Sequence, residues 1–114
     1  MYDMCLHIDS RDPAVLRLLL RNAANYFKAL PEEKFELVVV ANGPAVCQFT
    51  KLNEEMHAIA APLQDKGLRI LLCANALADN AITENELWPG CTVIPAGVVE
   101  IARLQHRGFS YVKP

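Results

Sequence analysis

The stretch Leu68-Arg-Ile-Leu-Leu-Cys-Ala-Asn-Ala-Leu77 decides the fold, because in it a short apolar strand runs directly into a helical segment. Leu68–Cys73 has the length and composition of a buried strand. Gly67 lies before it as a candidate C-cap of an earlier helix, and Ala74–Ala81 is predicted to be the next helix. Short apolar runs that alternate with longer amphipathic ones are typical of βαβ units and a largely parallel sheet.

Four further segments have the composition of strands, which predicts a sheet of about five strands. They are Met4–Ile8, Phe35–Ala41, Thr92–Pro95 and Phe109–Val112. The β-branched run in the second one indicates burial on both faces, as parallel strands require. We expect the last segment to lie at an edge of the sheet.

Between the strands, apolar residues recur at helical spacing. The first helix is expected to begin at Pro13 with Asp12 as N-cap, and to end near Ala29. Further helical segments are predicted at Gly43–Phe49, Asn53–Asp65, Thr83–Glu86 and from Gly97 to Gly108. No linker, repeat or low-complexity stretch interrupts this pattern, so residues 1–114 are expected to form a single domain.

Composition excludes several classes of function. The net charge is −2 from 11 basic and 13 acidic residues, with no basic cluster, so a nucleic-acid partner has no electrostatic support. No apolar stretch approaches the ~20 residues that a membrane span needs. The N-terminus lacks the pattern of a secretory signal, and a cytoplasmic location is the expectation. The apolar share of 53% indicates that another subunit covers some apolar surface.

The four cysteines do not have the spacing of a disulfide framework or a metal site. Cys5 and Cys73 lie within apolar strands, and in a reducing compartment such residues stay thiols. No CxxC pair occurs and the three histidines are scattered, so we predict no metal. Neither a GxGxxG nor a Walker motif is present, and no cofactor is expected.

The carboxyl ends of the strands are the expected place for a ligand, since loops and helix N-termini converge there in open α/β sheets. Four segments should meet at this edge: Asp9–Asp12, Ala41–Pro44, Cys73–Asn75 and Pro95–Gly97. Glycines let a ligand approach the backbone, and asparagines at strand ends can bind it by hydrogen bonds. We therefore predict a small pocket whose ligand-binding residues are Asn42, Gly43, Asn75 and Gly97.

Cys73 is the candidate for chemistry, because a helix should begin just after it. Free N–H groups and the positive end of the helix dipole would stabilise an anion there and lower the thiol pKa. The alternative is a core cysteine that behaves as a small hydrophobic residue. Cys47 lies near the same edge, either as a second thiol facing the pocket or packed against the sheet. His7 is expected to be half-buried and hydrogen-bonded, with proton donation as its other possible role.

Several segments together carry a resemblance to a known family, over nearly the whole chain. They are His7–Ser10, Asp12-Pro13, Leu20–Asn25, Glu36–Pro44, Cys73–Leu77, Val93–Ile101, Leu104-Gln105, Gly108–Tyr111 and Lys113-Pro114. In combination they resemble the DsrE/DsrF-like (YchN-like) proteins, small α/β domains linked to intracellular sulfur handling. Ala78-Asp79-Asn80 after the thiol departs from the sulfur-relay members and is closer to the uncharacterised branch.

The resemblance implies a three-layer α/β/α sandwich with a flavodoxin-like layout, and homo-oligomers, commonly trimers or hexamers. It also implies a persulfide on Cys73 for transfer between proteins, with sulfur donor and acceptor proteins as partners. The first hypothesis is therefore a sulfur carrier or sulfurtransferase-like protein. The alternative is a non-catalytic oligomeric module that binds a small ligand or a protein, since no general base is visible beside the thiol.

Overall fold

The computed structural model describes residues 1–114 and contains one sheet of five parallel strands with four α-helices. The strands are β1 (Met4–Ile8), β2 (Leu37–Ala41), β3 (Leu68–Cys73), β4 (Thr92–Ile94) and β5 (Ser110–Val112). The helices are α1 (Pro13–Ala29), α2 (Glu54–Asp65), α3 (Ala74–Asp79) and α4 (Gly97–His106), and two 3-10 segments span Gly43–Phe49 and Glu84–Glu86. None of the helices combines the length and the apolar character that crossing a membrane requires.

The predicted order of strands and helices is confirmed, with small differences at element ends. The Asp12 side chain caps α1 by accepting a hydrogen bond from the Ala14 N–H at 2.9 Å. The second strand begins two residues later than predicted, because Phe35 packs its ring edge-on against Tyr26 at 5.1 Å instead of pairing in the sheet. The third helix ends before Ala81, whose backbone adopts a φ of 55° that no helix continues through.

The strand order β4-β3-β2-β1-β5 explains why helices cover both faces of the sheet. From β1 to β4 each new strand is added on the same side of the previous one, whereas the last connection returns across the sheet to place β5 beside β1. Crossovers between parallel strands are right-handed, so a connection that runs in the opposite direction lies on the opposite face. Helices α1, α2 and α3 therefore form one layer and α4 forms the other, which confirms the three-layer sandwich and the edge position of the last strand.

The two faces of the sheet have cores of very different size. A cluster of 23 buried residues lies on the side of α1 and α2, whereas only seven lie under α4. Leu104 is the member of the smaller cluster that α4 contributes. The attachment of α4 to the sheet thus depends on few side chains.

The chain diverges at the carboxyl ends of β3 and β4. β3 continues into α3, which packs into the larger core, whereas β4 continues into α4 on the opposite face. Cys73, the last residue of β3, is paired in register with Ile94 at the end of β4. Such a topological switch point is where open α/β sheets bind their ligands.

Candidate functional site

Cys73, Asn42 and Gly97 meet at the switch point. A Cβ atom added to Gly97 would lie 3.0 Å from the Cβ of Asn42 and 3.5 Å from the Cβ of Cys73. Glycine is therefore required where α4 begins, because a side chain would press against the end of β2. The prediction that these strand ends converge is confirmed.

The Cys73 thiol lies between a strand and a helix, as predicted. Cys73 is the N-cap residue of α3, with extended backbone angles, and its side chain makes no capping hydrogen bond. Only 6% of the residue is exposed. The thiol thus lies at the carboxyl edge of the sheet. Because so little of the residue is exposed, a reactant can reach it only through a narrow opening or after a local movement.

His7 holds Asn42 in place from the neighbouring strand. Its Nε2 lies 2.9 Å from Oδ1 of Asn42, and its Nδ1 lies 2.6 Å from the Tyr111 hydroxyl. A carboxamide oxygen can only accept, so Nε2–H donates to Asn42, and in neutral histidine Nδ1 accepts from Tyr111. The predicted hydrogen-bonded histidine is confirmed, and its ring is buried more deeply than expected.

Tyr111 is a site residue that the sequence did not single out. It lies on β5, 104 residues from its partner His7 in the chain. The contact follows from the pairing of β5 with β1: Tyr111 is in register with Cys5, and His7 follows two residues later on the same face.

The other predicted ligand-binding residues lie beside this group without joining its hydrogen bonds. Gly43 has a φ of 55°, which favours glycine, and a Cβ on it would lie 3.7 Å from the carbonyl oxygen of Asp9. Asn75 lies in the first turn of α3 and is exposed. The structure thus brings together four of the predicted residues, namely His7, Asn42, Cys73 and Gly97.

The sequence predicted a small pocket at Cys73. None of the five principal clefts of the protein is lined by Cys73, and Gly97 at the start of α4 packs beside it. The concave surface lies instead beside Cys47, which lines two clefts of about 640 Å³ and about 510 Å³. Cys47 is half-buried and therefore more accessible than Cys73.

Arg11 and Asn80 surround the sulfur of Cys47. The Arg11 guanidinium donates to Sγ at 3.5 Å and to Oδ1 of Asn80 at 3.4 Å, and the thiol itself lies 3.4 Å from the same Oδ1. Cys47 is thus contacted by Arg11, which lies in the loop before α1, and by Asn80, which lies at the end of α3. Of the two alternatives for Cys47, the structure favours a thiol that faces a cleft, because this half-buried residue lines two of the clefts.

Cys5 and Cys91 are the two cysteines whose thiol pKa is raised by burial. Burial raises the pKa of Cys5 to about 11, with the nearby Glu100 carboxylate adding to the effect. Burial alone raises the pKa of Cys91 to about 12. Both thiols therefore stay protonated at neutral pH and are poor nucleophiles. No group of three or more His, Cys, Asp or Glu side chains is placed to hold a metal ion.

An ion pair flanks the His7 group. The Lys113 ammonium lies 3.0 Å from Oδ2 of Asp9, and its hydrogen bond holds the pKa of the Asp9 carboxyl below its ordinary value. The charge of Lys113 and the nearby His7 lower it further. The pair joins the C-terminal residues to the loop after β1.

We expect Lys113→Met to raise the Asp9 pKa back toward the ordinary aspartate value of ~3.9. Because the folded-state pKa is depressed, the pair stabilises the protein above the unfolded-state value, and this stabilisation is lost as the pH falls through the folded-state value. The Asp9 carboxyl shift, followed by NMR against pH, measures the change. Lys34→Met, at an exposed lysine with no ion pair, is the control and should leave the Asp9 titration unchanged.

Comparisons with known proteins give one family model and similar solved structures. A family model described as the DsrE/DsrF-like family matches residues 7–114. A protein of unknown function from Methanobacterium thermoautotrophicum, MTH1491, has a structure that matches with a TM-score of 0.92 at 29% identity, covering 100% of both chains. The ychN protein from E. coli matches with a TM-score of 0.74 at 15% identity, again over 100% of both chains, and supports the fold. No curated protein sequence matches the chain significantly.

Proposed function

The chain belongs to the DsrE/DsrF-like family, and from this premise we propose that it is a cytoplasmic sulfur carrier whose Cys73 bears a persulfide. The observation that carries the proposal is the position of Cys73 as the last residue of β3, at the point where α3 and α4 diverge to opposite faces. Ligands of open α/β sheets bind at this place. The first N–H groups of α3 have no partner within the helix and are available to an anion at the sulfur.

The transfer step needs no oxidant or reductant besides the sulfur donor. The Cys73 thiol loses its proton, and its sulfur attacks the terminal sulfur of a donor persulfide, R–S–SH. The S–S bond of the donor breaks, a new S–S bond forms on Cys73, and the donor leaves as the thiol R–SH after it takes up the proton. The products are Cys73–S–SH and R–SH, and the same reaction in the other direction passes the sulfur to an acceptor thiol.

We expect the protein to gain the mass of one sulfur atom after incubation with a low-molecular-weight persulfide. Cys73→Ser should lose most of this gain, whereas Cys91→Ser should retain it because the Cys91 thiol stays protonated. Intact-mass measurement followed by peptide mapping locates the sulfur. A Cys73→Ser protein that takes up sulfur as readily as the parent would rule out the proposal.

A second candidate function is a non-catalytic module that binds a small ligand or a protein. It is favoured by the low exposure of Cys73 and by the absence of this residue from the principal clefts. The rate of Cys73 alkylation against pH separates the two candidates. A thiol that does not react, or that titrates near the free-thiol value of ~8.5, favours the binding module.

We include self-association in the proposal, as a homo-oligomer such as a trimer or hexamer that exchanges sulfur with donor and acceptor proteins. Val98 and Val99 support it, because both side chains are largely exposed on α4 directly after Gly97. Apolar surface next to the switch point would be covered by another copy of the chain. The persulfide and alkylation measurements are therefore made on the assembled protein.

A further inference from the structure

We propose that Cys47 is a site of reversible S-thiolation, at which the cleft beside it selects disulfides of amino-acid or peptide thiols that carry a carboxylate. Three features of the cleft carry this inference: its size, a guanidinium without a carboxylate partner, and a carboxamide oxygen on a nearly buried glutamine that accepts no hydrogen bond from the chain. None of them involves Cys73, so the inference stands or falls separately from the proposed sulfur transfer.

The cleft has the size of a small-molecule site. Its volume is about 640 Å³, within the range of ligand pockets, and Cys47, Arg11 and Gln48 are among its lining residues. It lies between the start of α1 and the 3-10 segment that carries the thiol. A reagent can therefore approach this sulfur from a concave surface, which Cys73 does not offer.

Arg11 is the cation that remains available in this cleft. Its guanidinium contacts only Sγ of Cys47 and Oδ1 of Asn80, and no carboxylate pairs with it. The second arginine of the cleft, Arg17, is already bound to Glu55. A guanidinium that has N–H groups to spare binds a carboxylate by two parallel hydrogen bonds. A ligand carboxylate would thus lie next to the reacting sulfur.

Gln48 supplies an acceptor from the wall of the same cleft. The residue is only 6% exposed, and its Nε2 donates to the carbonyl oxygens of Ser10 and Asp12 at 2.9 Å and 3.2 Å. Those bonds hold the carboxamide in place and use its donors, while Oε1 accepts no hydrogen bond from the chain and is not closed off from the surface. A polar atom on a nearly buried side chain is normally paired. An N–H group of a ligand in the cleft, such as an amide or ammonium, would satisfy it.

The reaction is a thiol–disulfide exchange, in which atoms and electrons balance. The Cys47 thiol gives up its proton and attacks one sulfur of the disulfide R–S–S–R. The S–S bond of the ligand breaks as the Cys47–S–S–R bond forms, and the released R–S⁻ takes up the proton. Cys47 is oxidised and one half of the ligand is reduced. An excess of free R–SH reverses the exchange and restores the thiol.

Glutathione disulfide and cystamine, incubated in parallel with the full protein, test the inference. Glutathione disulfide carries carboxylates and N–H groups, whereas cystamine is a cationic disulfide without a carboxylate. We expect peptide mapping to find glutathione on Cys47. For each disulfide, the rate of Cys47 modification is divided by the rate at which the same disulfide reacts with a free thiol in solution. This ratio should be higher for glutathione disulfide than for cystamine. Addition of reduced glutathione should remove the modification. Cys47→Ser should lose it, and its unfolding midpoint shows whether the variant is folded.

Arg11→Gln and Arg17→Gln form a matched pair of variants that both retain the thiol. The first should lower the preference for glutathione disulfide over cystamine about threefold to fivefold, as expected for loss of one exposed ion pair. The second removes the same charge from the same cleft but from an arginine that is already paired, and should have a smaller effect. Equal effects of the two substitutions would overturn the inference, as would a Cys47 that glutathione disulfide leaves unmodified.

Discussion

Replacement of Phe49 by alanine is expected to lower the free energy of unfolding by about 3–5 kcal/mol. The Phe49 side chain is completely buried, and its ring packs edge-on against the Trp88 ring with 5.0 Å between centroids. The substitution removes this aromatic pair and leaves a cavity in the larger core. Trp88 is affected as well, because its ring loses the Phe49 ring as a neighbour while its buried Nε1 already lacks a hydrogen-bond partner.

Urea denaturation of the parent and the variant measures this loss, and Leu52→Ala is the matched control. Leu52 follows Phe49 by three residues but is 95% exposed, so its truncation should change stability by less than about 0.5 kcal/mol. Because domains of this kind are stable by about 5–15 kcal/mol, Phe49→Ala brings the protein close to unfolding. If both variants unfolded at the same urea concentration, the description of Phe49 as packed on Trp88 would be wrong.

Leu104→Ala is expected to cost about 2–5 kcal/mol and to expose the candidate site. Leu104 is buried in the cluster of seven residues under α4, so few other contacts can compensate for its loss. Gly97, the first residue of the same helix, packs on Cys73 and Asn42. A loosened α4 should therefore let reagents reach the Cys73 thiol, and its alkylation should become faster.

Urea denaturation and the rate of Cys73 alkylation check this prediction together. Gln105→Ala is the control on the same helix, because Gln105 is exposed and makes no contribution to the cluster. It should leave both measurements close to those of the parent. A Leu104→Ala protein that loses stability without any change in Cys73 alkylation would contradict the role of α4 as the cover of the thiol.

Much of the site could be predicted from the sequence because its members are marked by their local pattern. Cys73 is the end of an apolar run before a helical one, and Asn42 and Gly97 stand at equivalent strand ends. Convergence at one edge follows from the parallel sheet alone. The shape of the surface around these residues could not be predicted, because local pattern carries no information on packing. Whether three convergent residues leave a space or fill it depends on the atoms between them.

The surroundings of Cys47 could not be predicted from local pattern either. Its neighbours Arg11 and Asn80 are 36 and 33 residues away in the chain, and nothing in the sequence pairs them. The hydrogen bond from Tyr111 to His7 likewise depends on β5 returning to the side of β1. Such contacts arise only after the strand order is set.

The stretch from Leu68 to Leu77 determined by itself that an apolar strand ends in a thiol and passes into a helix, because burial periodicity and capping are local properties of the chain. The tertiary structure decided what lies over that thiol. The return connection after β4 runs against the direction of the earlier ones, and its right-handed crossover places α4 and Gly97 on the open face beside Cys73. The accessible thiol, Cys47, is consequently the one in the cleft between α1 and the segment after β2.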